Sequence, residues 1–190
     1  FVAVFPDFNQ NQGMRRAIPG SYQGAPTDVS VQSVTDENGS PRPFTVETDD
    51  EGFVLVTSRA GGYVYGRQTY VFTYTQHNVT RYFSDTNDDE FYWDTNGTGW
   101  AQPFHRVSAT VEVASDLVPA VTAGQACYVG YEGSTTPCDI VASGGTFTTS
   151  VSDLTAYQNM TVVVAFQPGT FEPPKFELLA YVPLTGLLGL

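Results

Sequence analysis

Lysine is almost absent from this 190-residue chain: Lys175 stands alone beside seven arginines, against 20 acidic residues, for a formal charge of −12. That balance excludes the basic patches that bind nucleic-acid phosphates, and it opposes docking on anionic lipid. A solvated acidic surface is the simplest reading of the excess. Histidine is scarce too. His77 and His105 are the only two; they fall on expected strands far apart in sequence, and His105, between Phe104 and Arg106, reads as a hydrogen-bonded structural residue. No G-x-S-x-G elbow, H-E-x-x-H helix or phosphate-cradling glycine loop occurs, so nothing in the motifs points to an enzyme.

Long apolar runs are missing as well. Six of the nine leucines (Leu178, Leu179, Leu184, Leu187, Leu188, Leu190) fall in the last thirteen residues, an uncharged stretch. A bilayer needs about 20 apolar residues, so this stretch is too short to span one. It reads as a closing strand, a surface tail or the first part of a membrane helix. Glu172-Pro173-Pro174-Lys175 is the expected hinge before it. The chain opens with neither an initiator Met nor a secretion signal, so Phe1 is read as a processed or cut end.

Cysteine is limited to Cys127 and Cys138, which enclose a polar loop rich in Gly, Ser and Thr. No other Cys or His lies near them to build a metal site, so a disulfide is expected in preference to a free buried pair. Such a bridge would contribute about 3 kcal/mol on the loop-entropy account and would imply an oxidising compartment.

What the chain has in quantity is strand-forming material: Thr, Val and 14% aromatics. Alternation of period two dominates. Val107, Ala109, Val111 and Val113 should face inward, with Ser108, Thr110 and Glu112 outward. Phe72 and Tyr74 should share one face of their strand. Further strands are expected from Val29 to Val34, Phe53 to Thr57, Phe147 to Val151 and Thr161 to Phe166. Turn signals separate them at Asn38-Gly39, Asp50-Glu51-Gly52, Gly61-Gly62, Asn96-Gly97 and Ser143-Gly144-Gly145. Asn38-Gly39 is the hairpin candidate. Helical turns are expected only near Asp88–Trp93 and Ser152–Tyr157. The pattern predicts an all-β chain: an antiparallel two-sheet β-sandwich, immunoglobulin-like in general architecture, with few or no helices. Residues 1–171 are expected to form one such domain, and residues 172–190 the hinge and tail.

Gly13-Met14-Arg15-Arg16-Ala17-Ile18-Pro19, then Gly66 to Tyr74, then Glu90-Phe91-Tyr92-Trp93-Asp94 with Gly97 and Trp100, occur in fixed order. Taken together, from about Asn11 to Val113 and more weakly to Phe166, they resemble the extracytoplasmic N-terminal region of a family of predicted bacterial membrane proteins, domain of unknown function 2207. Arg16 takes the family's arginine position, and Asp94 stands where Asn is usual. Gln12 replaces a common histidine, and the opening strand before Val2–Phe5 is missing, which would leave an edge open to pairing. The resemblance implies a membrane-anchored parent with this domain on the extracytoplasmic face of the bacterial membrane. It implies no activity. It also favours reading the leucine-rich end as the start of a transmembrane segment.

The same region holds the candidate binding residues. Asp85, Asn87 and Asp89 take the first, third and fifth places of an EF-hand-like loop, but Glu90 and Asn96 stand at the sixth and twelfth. A true EF-hand is excluded; a looser Ca²⁺ site and a solvated acidic turn are the two remaining readings. Tyr92, Trp93 and Trp100 could offer a platform to sugar rings, although aromatics in such sheets usually plug the core with their polar tips bonded. Arg16 is expected to pair with one of the acids. Asn78, Asn96 and Asn159 begin formal glycosylation sequons, which a Thr-rich chain produces by chance. The function expected from all this is a non-catalytic interaction or assembly role with an envelope protein. The alternative is a glycan- or calcium-dependent binding module at Asp85–Trp100, with cell-wall glycan as the partner. No cofactor is expected beyond that Ca²⁺.

Overall fold

The β-branched and aromatic runs fold into sixteen strands within residues 1–174, the part that the computed structural model describes. The leucine-rich end, and the three readings of it, lie outside the described residues. The first nine strands are β1 (Val2–Phe5), β2 (Gly13–Pro19), β3 (Ser21–Tyr22), β4 (Ala25–Pro26), β5 (Ser30–Thr35), β6 (Phe44–Thr48), β7 (Phe53–Arg59), β8 (Gly66–Thr69) and β9 (Val71–Thr75). The other seven are β10 (Thr80–Phe83), β11 (Asp88–Asp94), β12 (Phe104–Glu112), β13 (Ala126–Gly130), β14 (Ile140–Ser143), β15 (Thr146–Leu154) and β16 (Asn159–Phe166). All pairings are antiparallel. The fold is therefore all-β, with sandwich-like layering.

Strand pairing sorts the chain into two groups. Residues up to Thr75 form the sheets β2-β7-β6, β5-β9, β1-β8 and β3-β4; residues from Thr80 onward form β10-β11-β16-β13 and β12-β15-β14. Among the described residues no ladder joins the two groups. In the N-terminal half (residues 1–78), one buried cluster takes Ile18 and Val56 from one sheet, Val34 from another, and Tyr70. Those sheets therefore face each other. In the C-terminal half (residues 79–171), Val107 and Leu154 pack against Cys127 and Met160, and Phe147 against Val164 and Phe166. Here the three-stranded sheet covers the four-stranded one.

Local pattern accounts for most strands. Val107, Ala109 and Val111 do point inward from β12 while Ser108, Thr110 and Glu112 point out. Phe72 and Tyr74 share the covered face of β9. β16 is buried at every residue because it lies inside its sheet and is covered on both faces, which is why Thr161–Phe166 reads as a continuous run. Cys127 and Cys138 are bonded, with Cα atoms 5.0 Å apart.

Two local expectations are corrected. Asp88–Trp93 is strand, not helix: its pattern has period two, and β16 pairs with it from Asp89 to Asp94. Ser152–Tyr157 is the end of β15 and a turn; the one helical turn among the described residues is 3-10, at Val118–Ala120. Asn38-Gly39 does form a tight turn, in which Asp36 Oδ1 accepts from the amides of Asn38 and Ser40, each at 2.9 Å. It closes only a short, one-bridge hairpin, in which the Asp36 amide donates to the Ser40 carbonyl and the Arg42 amide to the Val34 carbonyl. After a single bridge between Thr35 and Pro41, β5 pairs with β9 and β6 with β7, so the turn carries the chain from one sheet to the other.

Candidate functional site

The residues that carry the resemblance converge where the two halves meet. β2 alternates, so Arg16 and Ile18 point inward, and Arg16 is only 5% exposed. Its guanidinium donates to the Asn96 carbonyl and reaches the Thr95 carbonyl at 3.5 Å. It also lies over the Phe1 ring, 5.4 Å from the centroid. Burial lowers the Arg16 pKa, and the neighbouring Tyr74 pushes it back up. The ion pair expected between Arg16 and an acid is not formed. Carbonyls of the turn after β11 occupy the fork instead, and the only close ionic contacts among the described residues are His77–Asp28 and His105–Asp153.

Asn96 is the hub opposite Arg16. The carbonyl that receives Arg16 also accepts from Trp100 Nε1 at 2.8 Å. The Asn96 amide group donates to the Gln158 carbonyl (2.9 Å), and its Oδ1 accepts from the Met160 amide (3.0 Å). Gly97 follows with φ +79°, and a Cβ there would sit 3.2 Å from Arg16 Nη1, so glycine answers both the backbone and the space. Trp100 stacks on Phe1 with ring centroids 5.2 Å apart and meets Phe104 edge-on at 5.5 Å. Trp100 is thus a plug between halves, its polar tip satisfied as a partly buried indole requires. A second strap runs from Arg81, whose Nη2 donates to the Tyr22 carbonyl (2.6 Å) while its guanidinium covers the Tyr22 ring. Burial pushes the Tyr22 phenol up to about 12, against the pull of Arg81.

The acidic residues are dispersed. Asp85 and Asn87 lie exposed in the β10–β11 turn, where Asn87 Oδ1 accepts from the Tyr82 hydroxyl. Along β11, side chains alternate between faces. Asp89 lies on one face, 3% exposed, and accepts from the Phe171 amide at 3.0 Å. Asp88, Glu90 and Asp94 lie on the other: Asp88 accepts from Thr122, Glu90 from Thr86, and Asp94 from Asn159 and Thr161, both at 2.6 Å. Among the described residues no three His, Cys, Asp or Glu side chains gather to hold a metal ion. The spacing that suggested a Ca²⁺ loop therefore becomes strand alternation, which sends consecutive carboxylates apart.

The rings are likewise separated. Trp93 shares its face with Phe91, stacked at 6.0 Å and 13°. Tyr92 points to the opposite side, near Phe83, and burial raises its pKa, with the charges of Asp94 and Glu90 and the Tyr128 phenol adding to the rise. Trp100 is in the junction. Asn96 and Asn159 are 2% and 4% exposed with their amides engaged, so neither is an open glycan acceptor. Gln12, at the histidine position, accepts from Arg59 Nε at 2.7 Å.

Sequence reasoning named Arg16, Gly97 and Trp100 but missed Asn96 as their shared partner; Asn96 showed there only as a turn residue, a loop position and the start of a sequon. Phe1 and Phe104 carried no signal beyond being aromatic.

A family model described as "Predicted membrane protein (DUF2207) N-terminal domain" matches residues 8–166. The chain belongs to that family. The match crosses both halves and spans Arg16, Gly97 and Trp100, which join them. No curated protein and no solved structure matches the chain. DUF2207 proteins are described as membrane proteins; no helix among the described residues here is long and apolar enough to cross a membrane.

Proposed function

We propose that this domain is a non-catalytic interaction module, exposed on the extracytoplasmic face of the bacterial envelope and carried by a membrane-anchored parent, that assembles with envelope proteins through its strand edges. One observation carries this reading. Val4 on β1, Val46 on β6 and Val141 on β14 are 81%, 48% and 64% exposed, and each of these strands has a single neighbour in its sheet among the described residues. Proteins that avoid edge pairing usually place lysine, proline or inward charge on such strands. β1 (Val-Ala-Val-Phe) and β14 (Ile-Val-Ala-Ser) carry none of these. Backbone ladders give affinity to an added strand, and alternate side chains give it specificity. The disulfide supports the placement, because an oxidising compartment keeps it closed.

The test is crosslinking in the native membrane, using the full-length parent with a photo-reactive residue at Val4, Val46 or Val141 in turn. Specific crosslinks to one or two envelope proteins from an edge position, and none from Asp50 in the exposed β6–β7 turn, are the expected result. Equal, unspecific labelling from all four positions would sink the reading.

A further inference from the structure

The Asn96–Trp100 corner braces a second feature on the side away from Arg16. The Trp100 carbonyl accepts from the Tyr157 amide (2.7 Å), and Asn96 holds the Gln158 carbonyl. Together they fix the turn between β15 and β16. In that turn Tyr157 has φ +64°, a region that bulky L residues rarely adopt, and the residue is 53% exposed. Strain of this kind collects where a ligand is gripped.

Facing the turn is the loop closed by Cys127–Cys138. It is set rigidly: the Val129 amide donates to the Thr136 carbonyl, Ser134 Oγ donates to the Val129 carbonyl, and the Tyr128–Pro137 bridge closes its base. Gly130 allows the tight fold, since a Cβ there would lie 2.5 Å from Ser134 Oγ. The loop holds out Tyr131, 60% exposed, whose hydroxyl meets Thr155 Oγ1 of the opposite turn at 3.4 Å. Between loop and turn lies an open concavity of about 560 Å³, lined among others by Tyr131, Glu132, Ser134, Thr136 and Gln158. That volume is within the usual range of ligand sites.

We propose that this concavity, lined by Tyr131 and with Tyr157 exposed on the adjoining turn, binds a hexopyranose unit of an uncharged glycan. The chemistry of the lining selects that class. Flat exposed rings suit the apolar faces of sugars, while hydroxyls and an amide suit their hydroxyl groups. Gln158 Oε1 already accepts from the Thr155 amide, which turns its amide hydrogens toward other partners. The lining has no cation and one carboxylate, Glu132, so a phosphate or carboxylate ligand would find no counter-charge there and one like charge opposing it. Nothing in this site depends on the strand edges, so either reading can fail without the other.

The test is a titration of the isotope-labelled full chain with chitotetraose, with maltotetraose as a second neutral probe, followed by amide resonances. Saturable shifts confined to residues 129–136 and 155–158, with at least one probe, are expected. Tyr131→Ala and Tyr157→Gly should each weaken binding about tenfold. Tyr157→Gly also removes the backbone strain, so it should melt at or above the parent temperature while binding worse. That combination separates recognition from folding. Absence of saturable shifts at millimolar concentrations of both sugars, shifts elsewhere, or unchanged affinity in both variants would overturn the proposal.

Discussion

Residues 1–78 carry five arginines against eight acids, whereas residues 79–171 carry two against ten. The N-terminal half uses two of those arginines as packing groups: Arg42 covers the Tyr70 ring at 4.5 Å and Arg16 covers Phe1. Tyr70 in turn belongs to the buried cluster of that half. The C-terminal half relies on a strand buried on both faces and on a covalent link. The ten acids of this half, six of them on its strands, repel each other, and the disulfide offsets part of that repulsion by limiting the unfolded chain. Near-identical folding classes are thus stabilised by different chemistry, and the polar junction at Arg16 and Asn96 is where the two meet.

The sharpest way to separate the halves is to empty each core. Ile18→Ala and Met160→Ala, at positions with no exposure, should each cost about 2–5 kcal/mol. Hydrogen exchange should then locate the lost protection in residues 1–78 for the first and 79–171 for the second. Equal loss throughout the chain would mean that the halves unfold as one unit. Reduction of the disulfide, or Cys127→Ala with Cys138→Ala, should remove about 3 kcal/mol, with denaturant melts followed by residues of the C-terminal half; a loss seen first around Tyr70 would contradict the division.

Arg16→Met tests the junction itself. The Thr95 carbonyl loses the Arg16 donor and the Asn96 carbonyl keeps only Trp100 Nε1, which should cost about 1–3 kcal/mol and broaden a single calorimetric transition into two. Gly97→Ala forces an L residue into a left-handed turn beside Arg16 and should cost about 1–2 kcal/mol. The smallest effect is expected from Tyr22. Its phenol is held neutral in the fold and would ionise near pH 10 when unfolded. The native state therefore keeps the proton longer, so this contribution is complete below pH 10 and is lost as pH rises toward about 12. Tyr22→Phe should flatten urea-measured stability across that interval, and an unchanged slope would show that Tyr22 is not the group responsible.

Much of the strand content was legible because alternation at Val107–Val111 and at Phe72–Tyr74 depends only on which neighbours face water. The acidic run stayed open between a metal loop and a solvated turn because a charge series at Asp85–Glu90 looks the same on both; the fold leaves Asp85 and Asn87 exposed in the β10–β11 turn and takes Asp88–Glu90 into β11. Arg16 was recognisable as structural, but its partner was not, since a backbone carbonyl leaves no trace in residue type. The Tyr131 and Tyr157 surfaces gave no pattern at all, being single tyrosines in polar turns 26 residues apart.

Sequence by itself determined the all-β class, the paucity of cationic surface, the cysteine pair and the family, because local periodicity, composition and ordered motifs are properties of the chain. Tertiary structure decided that strands sort into two groups, that Asn96 joins them to Arg16, and that a disulfide loop faces the Tyr157 turn. Those are contacts between residues tens of positions apart, fixed by which sheet faces can bury one another, and no local pattern encodes that choice.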